Sequence, residues 1–199
     1  IVFDDADLDL AVNIGAAIKF GNCGQICVAA NRFFIHEKIY DEFLDKLVKK
    51  AKDLKIGFTK NLDYEIGPLI TLESRERIKK LIERTIQDGA LLKCGGKVPK
   101  NCESGNWFEP TVFSHVNDKM RIFHDEIFGP IASLIPFKNE DEVLQSANNT
   151  KYGLASYLFT NDKKRIERFV DELEFGEIQI NGIKYGIPVT WLKHRRQGV

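Results

Sequence analysis

The sequence has no excess of either charge: 29 Lys and Arg stand against 29 Asp and Glu. A balanced surface gives no electrostatic reason to expect a nucleic acid or an anionic membrane as partner. No window holds eighteen uninterrupted apolar residues, and the opening Ile1-Val2-Phe3, followed by acids, lacks the basic region of a signal peptide. The chain therefore reads as soluble and cytoplasmic. Histidine is scarce, with four in the chain, and none is spaced as a second ligand pair. The four cysteines, Cys23, Cys27, Cys94 and Cys102, contain no C-x2-C knuckle, so no metal is expected. In a reducing compartment these thiols are expected to stay free. A G-x-G-x-x-G frame is missing too; Gly95-Gly96 opens no helix and reads as a turn. Internal repeats, linkers and low-complexity segments are absent. A length of 199 residues suits one domain, which buries about 70% of its unfolded surface.

What is present is an alternation of short apolar runs and amphipathic stripes. Residues 1 to 3 are strand-like, and Asp5 or Asp7 is placed to cap a helix with Leu8, Ala11, Val12, Gly15 and Ile18 at helical spacing. Phe33-Phe34-Ile35-His36 reads as a buried strand. Ile39, Phe43, Leu47, Val48, Ala51 and Leu54 form one stripe of a helix that Gly57 is expected to end. A second amphipathic helix over about 73 to 88 carries Ile78, Leu81, Ile82 and Ile86, and a strand follows near 90 to 94. Extended structure resumes at Trp107 to Phe113. Beyond it, strand and helix alternate: 131 to 137, 141 to 148, 154 to 160, 162 to 173 and 177 to 181. Strands separated by single helices favour an α/β fold with a largely parallel sheet and helices packed over it.

The stretch that carries chemistry is Phe20-Gly21-Asn22-Cys23-Gly24-Gln25-Ile26-Cys27, running on to Asn31-Arg32. A free cysteine taken alone is most often a small buried hydrophobe. Glycines beside a thiol, however, let backbone N–H groups approach whatever the sulfur attacks. Gly24-Gln25-Ile26-Cys27 with Asn31-Arg32 resembles the G-Q-x-C segment of the aldehyde dehydrogenases, and Asp125-Glu126-Ile127-Phe128-Gly129-Pro130 resembles that family's E-x-F-G-P segment. The two stand in the right order and about a hundred residues apart. Ile1-Val2-Phe3-Asp4-Asp5-Ala6-Asp7-Leu8-Asp9, Ile66-Gly67-Pro68-Leu69, Gly105-Asn106-Trp107-Phe108-Glu109-Pro110-Thr111 and Ala147-Asn148-Asn149-Thr150-Lys151-Tyr152-Gly153-Leu154-Ala155 are also similar to family segments. The resemblance covers residues 1 to 182, in the flavour of the succinate-semialdehyde and lactaldehyde dehydrogenases.

The resemblance implies a three-layer α/β catalytic domain, a small aldehyde as substrate, NAD or NADP as cofactor, and a homo-oligomer or a complementing cofactor domain as partner. It implies that Cys27 is the catalytic nucleophile, its thiolate adding to the aldehyde carbon while its backbone N–H helps to hold the oxyanion. By the same resemblance Glu126 accepts hydrogen bonds from the nicotinamide-side ribose and Phe128 packs beside the cofactor, whereas Gly24 and Gln25 shape the loop. A carboxylate suits a diol because, ionised, it offers acceptor sites alone. His36, His115, His124 and His194 are not assigned to the chemistry.

Two departures qualify these expectations. The cofactor domain, the oxyanion asparagine and the general-base glutamate that family members carry before this point are not among the 199 residues, so the isolated chain is expected to lose on the order of 10² to 10⁴ in each base-assisted step. After Ile180-Asn181-Gly182, residues 183 to 199 do not follow the family's P-F-G-G-x-K-x-S-G segment and read as an atypical tail with a Lys193 to Arg196 cluster. An interrupted coding sequence is the expected cause. The competing readings are a non-catalytic remnant that folds and self-associates, and a thiol hydrolase or redox sensor using Cys23 and Cys27.

Overall fold

The computed structural model describes residues 1–57, 65–100, 102 and 105–183. The Lys193–Arg196 cluster, His194 and all of the tail beyond position 183 lie outside the described residues. The chain is mixed α/β: helices α1 (Leu8–Phe20), α2 (Tyr40–Asp53), α3 (Leu72–Gln87), α4 (Arg121–His124), α5 (Glu140–Asn148) and α6 (Lys163–Glu172), with strands β1 (Phe33–His36), β2 (Leu91–Cys94), β3 (Thr111–Ser114), β4 (Ile131–Phe137), β5 (Ala155–Leu158) and β6 (Glu177–Ile180). These group into two compact units.

One unit comprises residues 15–33 and 44–135. Its β3 and β4 pair in parallel, Thr111 opposite Ile131 and Phe113 opposite Ser133. Both are buried almost throughout, as expected of parallel strands covered on both faces. The edge strand β2 runs antiparallel to β3 and bulges between Leu92 and Cys94. Its mostly exposed side chains and its bulge are devices that blunt an edge. Helix α3 starts where the Thr71 hydroxyl accepts the Ser74 N–H at 3.0 Å and turns Ile78, Leu81 and Ile82 inward. The amide of Gly57 bonds to the Ile66 carbonyl beside an isolated Ile56–Ile66 bridge, so α2 stops at Asp53 rather than at the glycine. Helix α4, four residues long, is too short to leave a periodic signal.

The other unit comprises residues 1–14, 34–43 and the chain from Pro136 onward. Val2 bridges Ile35 and Phe159 in parallel, so the expected opening strand is reduced to one bridging residue. β5 and β6 pair in parallel in register from Ala155–Glu177 to Leu158–Ile180. Phe3 meets Phe137 and Phe169 edge-on, with ring centroids 5.1 and 5.3 Å away. Asp5 does not cap α1, which Asp7 begins by accepting the Leu10 N–H at 3.0 Å. The Asp5 carboxylate instead accepts from the Thr160 hydroxyl, the Asn161 and Asp162 amides and the Arg165 guanidinium. Arg165 also pairs with Glu140 at 2.8 Å, tying α6 to α5. No described helix is long and apolar enough to cross a membrane.

Candidate active site

Helix α1 delivers the chain into a tight left-handed turn. Asn22, Cys23 and Gly24 follow one another at φ 49°, 57° and 70°, a region that glycine and asparagine enter readily and cysteine does not. Local bonds hold the turn: the Asn22 side chain donates to the Gln25 carbonyl at 3.0 Å, and the Gln25 amide donates back to the Asn22 carbonyl at 3.1 Å. The Gln25 side-chain oxygen accepts the Ile70 N–H at 2.8 Å, so this glutamine clasps the loop to the segment after Gly67-Pro68. The turn separates the two thiols. Cys23 is fully buried and Cys27 exposed. Burial pushes the Cys23 thiol up to about 12, so at neutral pH it stays protonated and inert. The Cys27 backbone N–H is not spent on an internal hydrogen bond among the described residues.

Against this loop lies the segment Glu126 to Pro130. A Cβ on Gly24 would stand 2.2 Å from the Gly129 carbonyl oxygen and 2.9 Å from that of Lys19, so absence of a side chain there lets two main chains touch. The Asn31 side-chain oxygen accepts the Ile127 N–H at 3.2 Å. Arg77, from α3, donates to the Ile127 carbonyl at 2.7 Å and to that of Phe128 at 3.2 Å. Arg32 stacks its guanidinium 5.0 Å from the Phe123 ring centre. Ile127 is buried while Glu126 and Phe128 on either side are exposed. The left-handed φ of 43° at Phe128 is strain that these contacts stabilise. The three residues singled out from sequence, Cys27, Glu126 and Phe128, thus lie outward on two segments packed together.

Lys19 was not singled out from sequence. It sits in the last turn of α1, fully buried, and its Nζ finds no hydrogen-bond partner among the described residues. Burial pulls its ammonium down to about 7, against the opposing pull of Glu126 and Cys23. Its signal was visible: position 19 continues the stripe Leu8, Val12, Gly15 at helical spacing, so the helix buries it. Asn31 was legible as a motif residue, but its partner was not. Arg77, on the exposed face of α3, carried no distinguishing signal.

Two histidines, His36 and His124, have structural surroundings. His36 accepts the Lys38 N–H and meets Phe137 edge-on, and His124 bonds to the Asp118 carbonyl at 2.6 Å. Among the described residues no three His, Cys, Asp or Glu side chains assemble as a metal site.

With this geometry in place, residues 1–191 match the model of the aldehyde dehydrogenase family. The chain is 39% identical to betaine aldehyde dehydrogenase of Bacillus subtilis over 201 residues, covering 100% of this chain and 41% of that protein. It is 41% identical to a probable NADP-dependent succinate-semialdehyde dehydrogenase of Sinorhizobium fredii, covering 91% of this chain and 36% of the relative. Betaine aldehyde dehydrogenase of Staphylococcus aureus, solved with NAD+, superposes with a TM-score of 0.89 at 34% identity over 92% of this chain and 37% of its own. The chain therefore spans about two fifths of the length of these relatives, and within that span it belongs to the aldehyde dehydrogenase family.

Proposed function

We propose that this chain carries the thiol-bearing part of an NAD- or NADP-dependent aldehyde dehydrogenase, with Cys27 as nucleophile and Glu126 and Phe128 as cofactor-facing residues. The observation that supports it most is the asymmetry of the two cysteines in one loop: Cys23 sealed, Cys27 open, and the open one on the loop that packs against Gly129. Family membership and the cofactors named for the relatives point the same way.

The residues fit the dinucleotide. Glu126 presents an exposed carboxylate, an acceptor matched to a ribose diol, and Phe128 presents 41% of its surface on a braced loop, a flat apolar face for a ring to rest on. When bound, an oxidised nicotinamide supplies a hydride acceptor. The protein's share is the rest. The Cys27 thiol gives its proton to solvent, the thiolate sulfur forms a bond to the aldehyde carbon, the carbonyl π electrons move to oxygen, and the Cys27 N–H donates to the resulting oxyanion. After oxidation, water cleaves the thioester at Cys27: its oxygen enters the acid product with one proton, its other proton goes to solvent, and the C–S bond returns its electrons to sulfur as the thiolate. The substrate is a small aldehyde; the relatives named for betaine aldehyde and succinate semialdehyde mark the range of its chemistry.

The test is to mix the chain with NAD or NADP and a short aldehyde, follow reduced nucleotide by absorbance, and repeat with Cys27→Ser. With the general-base glutamate not among these residues, the expected result is turnover that is at most weak and vanishes in the variant, together with iodoacetamide labelling of Cys27 ahead of Cys23. Equal turnover in both, or iodoacetamide labelling of Cys23 in preference to Cys27, sinks the assignment. The redox-sensor reading has the buried Cys23 against it, since a resolving thiol must be reachable and ionisable.

A further inference from the structure

We propose that Asn31 is a positioning residue: through its bond to the Ile127 amide it fixes the Cys27 loop against the Glu126–Phe128 segment, so that the thiol and the cofactor-facing side chains keep one separation. The proposal rests on the roles just given to Cys27, Glu126 and Phe128. Asn31 lies four residues after the thiol and Ile127 lies between the two outward-facing groups, 96 positions away in sequence.

Ile127 is held at three points. Its side chain is fully buried, its carbonyl takes a hydrogen bond from Arg77, and its N–H goes to Asn31. Each hold does a different job. Burial sets depth but permits sliding, because dispersion is not directional. The Arg77 bond anchors the segment to α3, an element that carries neither candidate group. Of the two directional holds, the Asn31 bond is the one that joins the thiol's own loop to the segment. Its neighbours reinforce the seam without replacing it: Arg32 on Phe123 is a face contact, and Gly24 on Gly129 is a close approach of two backbones. Without the Asn31 acceptor, a half-buried amide loses its partner and the segment is free to shift along the loop; a shift of about 1 Å is enough to cost a reacting pair its alignment.

Two readouts on the chain test this. In Asn31→Ala the Ile127 amide exchanges its proton about tenfold faster than in the parent, as expected for one lost hydrogen bond. Cys27 labelling by iodoacetamide without nucleotide stays within about twofold, since the thiol is exposed in either case. The NAD or NADP concentration that halves the labelling rate rises about tenfold. Asn31→Asp keeps an acceptor oxygen at the same reach and returns exchange and nucleotide protection to within about threefold of the parent. Unchanged Ile127 exchange in Asn31→Ala, or an Asn31→Asp variant as impaired as the alanine, overturns the assignment. If neither nucleotide slows labelling of the parent chain, the cofactor reading of Glu126 and Phe128 fails instead, and Ile127 exchange with its rescue decides the role of Asn31.

Discussion

Gly24 and Lys19 show how one atom's surroundings reach the thiol loop. Adding a methyl at Gly24 meets a carbonyl oxygen at 2.2 Å and a φ of 70°, so relief requires two main chains to part. Gly24→Ala is expected to cost about 2–5 kcal/mol in urea denaturation, and a loss below about 1 kcal/mol would show that the loops do not press together. Lys19 makes a prediction in pH. Its folded pKa of about 7 lies below the usual 10.5, so between those values the unfolded chain binds more protons and stability rises with pH. The penalty is complete below pH 7 and fades as pH approaches 10.5. Cys23 acts in the opposite sense, its thiol held at about 12 against an ordinary 9.0, so it costs stability only as pH climbs past 9. Lys19→Met, of similar length and no charge, is expected to raise stability most at or below pH 7. It should also flatten the rise between pH 7 and 9, a difference on the order of 2 kcal/mol by paired denaturant titrations. A variant with the parent's pH slope would show that the amine is not desolvated.

Helix extents were the most legible part of the fold because periodicity is local, whereas the caps came from the structure. Thr71, Asn139 and Asp162 each accept an amide from two or three residues ahead, and periodicity placed the helices behind them to within a residue or two. Thr71→Ala is expected to cost about 1 kcal/mol while leaving the Cys27 labelling rate unchanged, because the cap lies outside the thiol loop. A change in that rate on loss of the cap would show that the start of α3 is coupled to the thiol through Ile70 and Gln25. Strand direction was less legible. The largely parallel expectation held, but that β2 would be the antiparallel strand was not readable, since pairing sense is set by which strands become neighbours. Helix α4 escaped notice because four residues complete scarcely one turn.

Assembly of distant segments is what brought the motifs together as a candidate site. In one unit the G-Q-x-C loop and the E-x-F-G-P segment, a hundred residues apart, meet through Asn31, Gly24 and Gly129. In the other, Asp5 binds four donors around position 160, so the chain's opening residues are held to the start of α6. Asp5→Ala leaves those donors without their shared acceptor and is expected to cost about 2–4 kcal/mol by chemical denaturation; Asp5→Asn, which keeps one acceptor oxygen, should recover part of that. A neutral alanine substitution would mean that water serves those donors equally well.

From sequence alone one could read the family, the extents of the helices, and the candidates Cys27, Glu126 and Phe128, because motifs and periodicity involve residues close along the chain. The sealing of Cys23 beside an open Cys27, the desolvation of Lys19 and the partnership of Asn31 with Ile127 were decided in three dimensions. Each depends on which backbone lies against the loop, and that follows from the packing of segments whose separation along the chain leaves no local trace.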